Sequence, residues 1–203
     1  MAERRPRLGG RAVTSLAADG FAMDELTTRR LTLRKLRLSD ADDIYRYSRD
    51  AEVARYVLWD AHQSVYDSRS YVRAMLRRYR SGGPASWGIE LNATGAVIGT
   101  IGYMWYQPEN NAAELGYSLS REHWNLGIMT EALRAVVAYS FEELGINRLE
   151  AQHEVANPAS GAVMRKAGMQ REGLLRERIA NKGRYVHVEL YSILRSEYAS
   201  RSR

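Results

Sequence analysis

The chain has 203 residues, 45% of them hydrophobic, enough for one compact domain with a sizeable core. It has no cysteine, which excludes disulfides, thiolate metal sites and cysteine nucleophiles. Its four histidines (His62, His123, His153, His187) show no ligand spacing, so no metal is expected. Of the formal charge of +6, residues 1–37 carry +5 and the other 166 only +1, which argues against a basic face on the folded part.

Residues 1–27 mix Arg, Gly, Ala and Asp with no apolar period, and are expected to form a disordered extension, with Met23 as an alternative start. The folded domain is then 28–199. No apolar run reaches the length of a signal-peptide core or a membrane span, and the lack of cysteine fits a cytoplasmic protein.

Leu31 to Leu36 alternates apolar and polar residues partway along, which predicts an outer strand. Ser39 to Asp43 supplies an N-cap and an acidic first turn for a helix carrying Ile44, Tyr45 and Tyr47. A second helix is predicted from Val65 to Arg80, stopped by Gly82-Gly83-Pro84. Three strands follow: Ala85–Leu91, Ala96–Tyr106 and Ala112–Leu119, with turns at 92–95 and 107–111. Ile128 to Leu144 is the best helix pattern, with Leu133, Val136, Val137, Ser140 and Phe141 on one face and Gly145 as its stop. Then come a strand over Asn147–Val155, a short helix opened by Asn157-Pro158, and an antiparallel pair, Met169–Ile179 with Arg184–Arg195. The expected fold is α/β (α+β): a mixed, mainly antiparallel sheet of six to seven strands flanked by about four helices.

A strand that stops in a tight turn before a helix gathers unpaired N–H groups at one point. With the helix dipole, those donors favour an anion there, typically a phosphate. Trp124-Asn125-Leu126-Gly127-Ile128-Met129-Thr130 has this layout, and Gly127 lets backbone approach a ligand with no Cβ in the way. The segment lacks the Gly-Lys-Ser/Thr ending of a triphosphatase loop and the three glycines of a dinucleotide fold. On residues alone, an ordinary structural turn is the competing reading.

Trp124 to Ala132 resembles the acetyl-CoA motif of the GNAT acetyltransferases, in the branch of the ribosomal-protein N-terminal acetyltransferases RimJ and RimL. Three further segments carry the resemblance: Ala113 to Tyr117, then Asn157 to Ser160 with Lys166 to Met169, then Glu172 to Glu177. Trp124 and Met129 depart from the general family pattern, and His187 stands where related sequences often carry Asp.

The resemblance implies acetyl-CoA as cosubstrate, lying where the strands beside the Gly127 loop splay apart. Leu126, Gly127, Ile128, Met129 and Thr130 would give backbone N–H groups to its pyrophosphate. Asn157 and Ser160 would lie beside the pantetheine and thioester, and Lys166 is either near an outer phosphate or a solvated helix charge. It also implies an amine acceptor: a protein N-terminus with possible ribosome association, or a small molecule (polyamine, aminoglycoside or toxic peptide). A non-catalytic CoA-binding module is the competing class, and a monomer or homodimer away from any membrane is expected.

Acetyl transfer needs a neutral amine and a proton for the departing thiolate. A lysine-type amine is neutral roughly once in 2,500 at pH 7, an α-amino group about once in ten. Glu114, on the strand before the loop, is the candidate base, against a strand-surface carboxylate paired with Arg. Ser160 is the candidate donor to the CoA sulfur, against a helix-start serine satisfying backbone. Tyr191 is an alternative acid with packing as its competing role. His153 is expected on the surface or in the cleft, and His123 as a turn residue. Tyr56, Val57, Trp59, Trp87, Tyr185 and His187 are the residues from which an acceptor pocket would be built, with core packing as the competing role of the aromatics.

Overall fold

The computed structural model describes residues 20–201. Short β1 (Leu26–Thr27) and β2 (Leu31–Arg34) lead through a 3-10 turn, Leu38–Asp40, to α1 (Ala41–Ser48) and the one-turn α2 (Ala51–Ala54). Helix α3 (Val65–Ser81) follows, capped by Ser64 and closed by Gly82 at φ 66°. Next come β3 (Ser86–Leu91), β4 (Val97–Gln107), β5 (Ala112–Leu119), α4 (Ile128–Glu142) and β6 (Arg148–Glu154). Helix α5 (Pro158–Lys166), β7 (Gln170–Asn181), β8 (Arg184–Leu194) and α6 (Arg195–Arg201) complete the described chain.

The eight strands form one sheet in the order β1-β2-β3-β4-β5-β6-β8-β7. The count exceeds the expected six to seven because Leu26–Thr27 pairs with Thr32–Leu33, and six helices replace about four because α2 and α6 are too short to leave a periodic signal. Residues 1–19 of the expected extension lie outside the described residues. Its last part is built into the domain: Phe21 and Met23 are 6% and 2% exposed, and Phe21 packs on Tyr103 with centroids 4.4 Å apart.

Pairing is antiparallel except at β5–β6, where a crossover through α4 requires parallel strands. That pairing covers three positions, Ala112↔Arg148, Ala113↔Leu149 and Glu114↔Glu150, although β5 runs on to Leu119. Strand β6 keeps its other partner: its pairing with β8 continues to Glu154↔Val188. Beyond Glu114 the two strands therefore diverge and leave an opening in the middle of the sheet.

Alternation along β5 sends Leu115 and Tyr117 to one face and Glu114 and Ser118 to the other. On the first face Tyr103 of β4 meets Ser140 of α4 at 2.6 Å, so α4 and α5 cover it. Helices α1 and α3 cover the second, where Thr100 and Ser118 are 3.2 Å apart near buried Tyr47. Helix α4 buries the stripe expected of it, Leu133, Val136, Val137, Ser140 and Phe141, each at most 2% exposed. No helix among the described residues is long and apolar enough to cross a membrane.

Candidate active site

Strand β5 ends in the 3-10 turn Arg121–His123, and the chain then passes through two left-handed residues, Asn125 at φ 59° and Gly127 at φ 73°. Left-handed residues in such a turn are the kind of backbone that can gather successive amides into an anion-binding concavity. Among the described residues, the N–H groups of Leu126, Gly127, Ile128, Met129 and Thr130 find no acceptor, whereas the next, Glu131, bonds Gly127 O at 3.1 Å. The side chains of Ile128 and Met129 are buried, so Met129 meets the loop only through its backbone.

Two long-range ties hold the loop. Glu131 in the first turn of α4 accepts from Thr28 Oγ1 (2.7 Å), Arg30 N (2.9 Å) and Arg30 Nε (2.7 Å). Burial alone would raise the Glu131 pKa, but these bonds outweigh it and hold the carboxyl below its ordinary value. Arg30 Nη1 also donates to Leu126 O at 2.9 Å, which leaves a guanidinium beside the five free amides. Arg134 donates to Lys166 O from Nε (3.1 Å) and Nη2 (2.6 Å), fixing the end of α5 against α4.

A cleft of about 490 Å³ opens between these elements, lined by Gly127–Thr130, by Asn157 and Ser160 of α5, and by Tyr117 of β5. Asn157 Oδ1 accepts the Ser160 N–H at 3.4 Å as the cap of α5, and its Nδ2 has no partner among the described residues. Tyr117 Oη lies 2.9 Å from Ser160 Oγ and 3.1 Å from Ser160 O, either of which can accept its proton. The phenol has one proton; when it points to Ser160 Oγ rather than to Ser160 O, the Ser160 O–H is free to donate into the cleft. Burial pushes the Tyr117 phenol well above its usual range, so it stays protonated at neutral pH.

Comparison with known proteins decides what this arrangement belongs to. The family profile described as "Acetyltransferase (GNAT) domain" matches residues 30–170. The chain belongs to the GNAT acetyltransferases. The uncharacterized N-acetyltransferase p20 of Bacillus licheniformis is 37% identical over 177 residues, 87% of this chain and 99% of the relative. The ribosomal-protein-serine acetyltransferase of Escherichia coli is 31% identical over 96 residues, 47% of this chain and 54% of that protein. The RimL ribosomal L7/L12 alpha-N-protein acetyltransferase, solved in complex with coenzyme A, shares the fold at TM-score 0.76 and 22% identity, covering 84% and 98% of the two chains.

In this GNAT chain the free amides and the left-handed Gly127 present donors to an anion, and the β5–β6 pairing ends at Glu114. The other expected residues are placed as follows. Glu114 sits at the vertex of the divergence, outside the cleft wall. Its carboxylate accepts from Trp105 Nε1 and, at 2.8 Å, from Gln152 Nε2, so its partners are an indole and an amide. Lys166 does reach the rim of the cleft.

One reading is corrected. His153 is neither on the surface nor in the cleft: it is 7% exposed, and its ring sits beneath α5 at Gly161. Of the two roles open to Trp87, the structure takes packing: it is fully buried in the core, with Nε1 donating to Asp24 O at 2.7 Å. Tyr191 is also fully buried and accepts from Arg165 Nη1 at 2.8 Å, which is a packing position. His187 Nδ1 accepts the Glu177 N–H at 2.8 Å, and Tyr185 is 72% exposed. On the acceptor side, Tyr56 and Val57 line the cleft together with Glu52 and Arg55.

Sequence reasoning passed over Tyr117 and Arg30. Tyr117 is one of thirteen tyrosines and carries no local mark of its hydroxyl contact. Arg30 acts across 96 positions of chain, which no local pattern reports.

Proposed function

We propose that this enzyme moves the acetyl group of acetyl-CoA to the α-amino group of a protein N-terminus, a ribosomal-protein-type acceptor, in the cytoplasm and as a monomer or homodimer. The observation that carries the reading is one cleft walled on one side by Gly127–Thr130, whose amides find no acceptor among the described residues, and on the other by the Tyr117–Ser160 hydroxyl pair. Leu126, Gly127, Ile128, Met129 and Thr130 hold the pyrophosphate through their N–H groups, with Arg30 adding positive charge beside them. Asn157 Nδ2 and the diverging edge of β5 orient the pantetheine. Acetyl-CoA supplies the activated thioester.

The Ser160 hydroxyl donates a proton toward the CoA sulfur and draws on Tyr117 behind it. Glu114 accepts the amine proton through water, because it faces away from Tyr117 at the point where the sheet opens. An α-amino group suits so distant a base, since about a tenth of it is already neutral at pH 7. The names of the relatives that act on ribosomal proteins support the same acceptor class.

The test follows free thiol released from acetyl-CoA across N-terminal peptides, Nα-blocked lysine peptides, polyamines and aminoglycosides. Unblocked peptides should turn over and Nα-blocked ones should not. Turnover of polyamines or aminoglycosides with silence on every peptide would remove the protein N-terminus as acceptor. Glu114→Gln should lower kcat about 100-fold at neutral pH while CoA affinity holds. Unchanged kcat would take the base role from Glu114.

A further inference from the structure

Helix α3 carries a charged face that acetyl transfer does not use. Its seventeen residues include five arginines and one acidic residue, Asp67. Asp67 is already committed: its Oδ2 accepts the N–H groups of Gln63 and Ser64, both at 2.9 Å, to cap the helix. Arg69, Arg73, Arg77 and Arg80 are all exposed, while Ser68, Val72 and Met75 face the core. Steps of four, four and three residues keep the four arginines within an arc of about 80° and spread them along about 16 Å of the helix axis.

None of the four forms an ion pair among the described residues. Like charges four apart on a helix repel by about 0.2–0.5 kcal/mol per pair, so the row is left uncompensated within the domain. Tyr66 stands in the same arc at its N-terminal end, 69% exposed, with the Arg69 guanidinium 5.8 Å from its ring centre. Net charge summed over long segments hides this row, because acidic residues elsewhere offset it.

We propose that this face of α3 is a docking surface for RNA, engaging a single strand or loop. A regular line of guanidinium groups neutralises successive phosphates, and an exposed ring beside an arginine offers a stacking surface for an unpaired base. An acidic protein partner fits less well, since a protein interface needs an apolar centre and the arc holds only Tyr66 and the four arginines. The proposal goes beyond acetyl transfer and is tested apart from it.

The full-length protein is titrated into a fluorescein-labelled RNA stem-loop between 50 and 300 mM salt (about, chosen to span the usual loss of affinity). Replacing all four arginines by Gln should flatten the slope of log K against log salt by roughly 3, at about 0.7 per phosphate for a single strand. The paired variants Arg69→Gln with Arg73→Gln, and Arg77→Gln with Arg80→Gln, should each give about half of that change. They keep the test informative should the fourfold variant not fold. Tyr66→Ser should weaken binding without altering the slope, and CoA binding should be unchanged throughout. No RNA binding by the parent, or an unchanged slope in the variants, would overturn the proposal, since binding would then belong elsewhere, such as the arginines of residues 1–19. Displacement of the RNA by polyglutamate of equal charge, with Tyr66→Ser silent, would overturn it in favour of an acidic polypeptide.

Discussion

Gly161→Ala should disturb both the stability and the turnover of this enzyme, because the missing Cβ is what admits the His153 ring beneath α5. A Cβ built at position 161 would meet His153 Nε2 at 2.5 Å and Cδ2 and Cε1 at 3.2 Å. The ring has no easy retreat. Its Nδ1–H donates to Glu154 O at 2.7 Å, Nε2 lies 3.4 Å from Glu189 Oε2, and the ring packs 5.6 Å from that of Tyr191. Overpacking of this kind costs about 1–3 kcal/mol, and loss of the Nδ1 bond about 1 more. Alanine in place of glycine within a helix returns about 1 kcal/mol. The net is a loss of about 1–3 kcal/mol, or a Tm lower by roughly 2–12 °C for a domain of this size. Because α5 carries Asn157 and Ser160 into the cleft, a displacement of that helix should also lower kcat by tenfold or more, roughly.

The double-mutant cycle makes this sharp. In a His153→Ala background the collision is gone, so adding Gly161→Ala should raise Tm by about 2–4 °C, the helix-propensity gain alone. Thermal melts of the four proteins read the cycle, with acetyl transfer to an N-terminal peptide as the second signal. A shift of the same sign and size in both backgrounds would refute the reasoning, because the glycine would then have no dealings with the histidine.

At the loop, Gly127→Ala is strained by φ 73° but meets no chain atom closer than Arg30 Nη2 at 3.6 Å. Stability should therefore fall by only about 1–2 kcal/mol while CoA affinity, measured by calorimetry, falls at least about tenfold; unaltered affinity would remove the loop from the phosphate site. Tyr117→Phe and Ser160→Ala should each reduce kcat by about 100-fold with little change in CoA affinity, and a silent Tyr117→Phe would show that the serine needs no second hydroxyl. Hydrogen bonds from Arg148 and then Ser192 hold the Glu172 carboxyl down to about 2, from an ordinary 4.5. A depressed carboxylate contributes fully above about pH 4.5 and loses that contribution as the pH falls through about 2. Arg148→Met should thus cost most stability near neutral pH, and its melts should approach those of the parent in that acid range; a gap that widened on acidification would contradict the pairing.

Much of this was legible in the residues. Strand and helix periods, the Asn157-Pro158 start and the Gly145 stop are local signals, and local signals survive in sequence because they act over one or two turns. The motifs around Gly127 and Asn157 fall on elements that line one cleft, and Glu114 falls beside it at the point where the sheet opens. Two things were not legible. Short pieces such as β1 and α2 have too few residues to show a period, and contacts such as Arg30 with Leu126 or His153 with Gly161 join positions whose distance along the chain says nothing about their distance in space.

The sequence by itself determined the alternation of strands and helices, the turn at Gly127, the absence of cysteine chemistry and the family resemblance, all properties of near neighbours along the chain. Only the tertiary structure decided that β5 and β6 part after Glu114, that Tyr117 meets Ser160, that His153 is buried, and that four arginines of α3 share one face with no acidic partner among the described residues. Each of these depends on which elements are packed side by side, a matter settled by burial of the whole core at once rather than by any single stretch of chain.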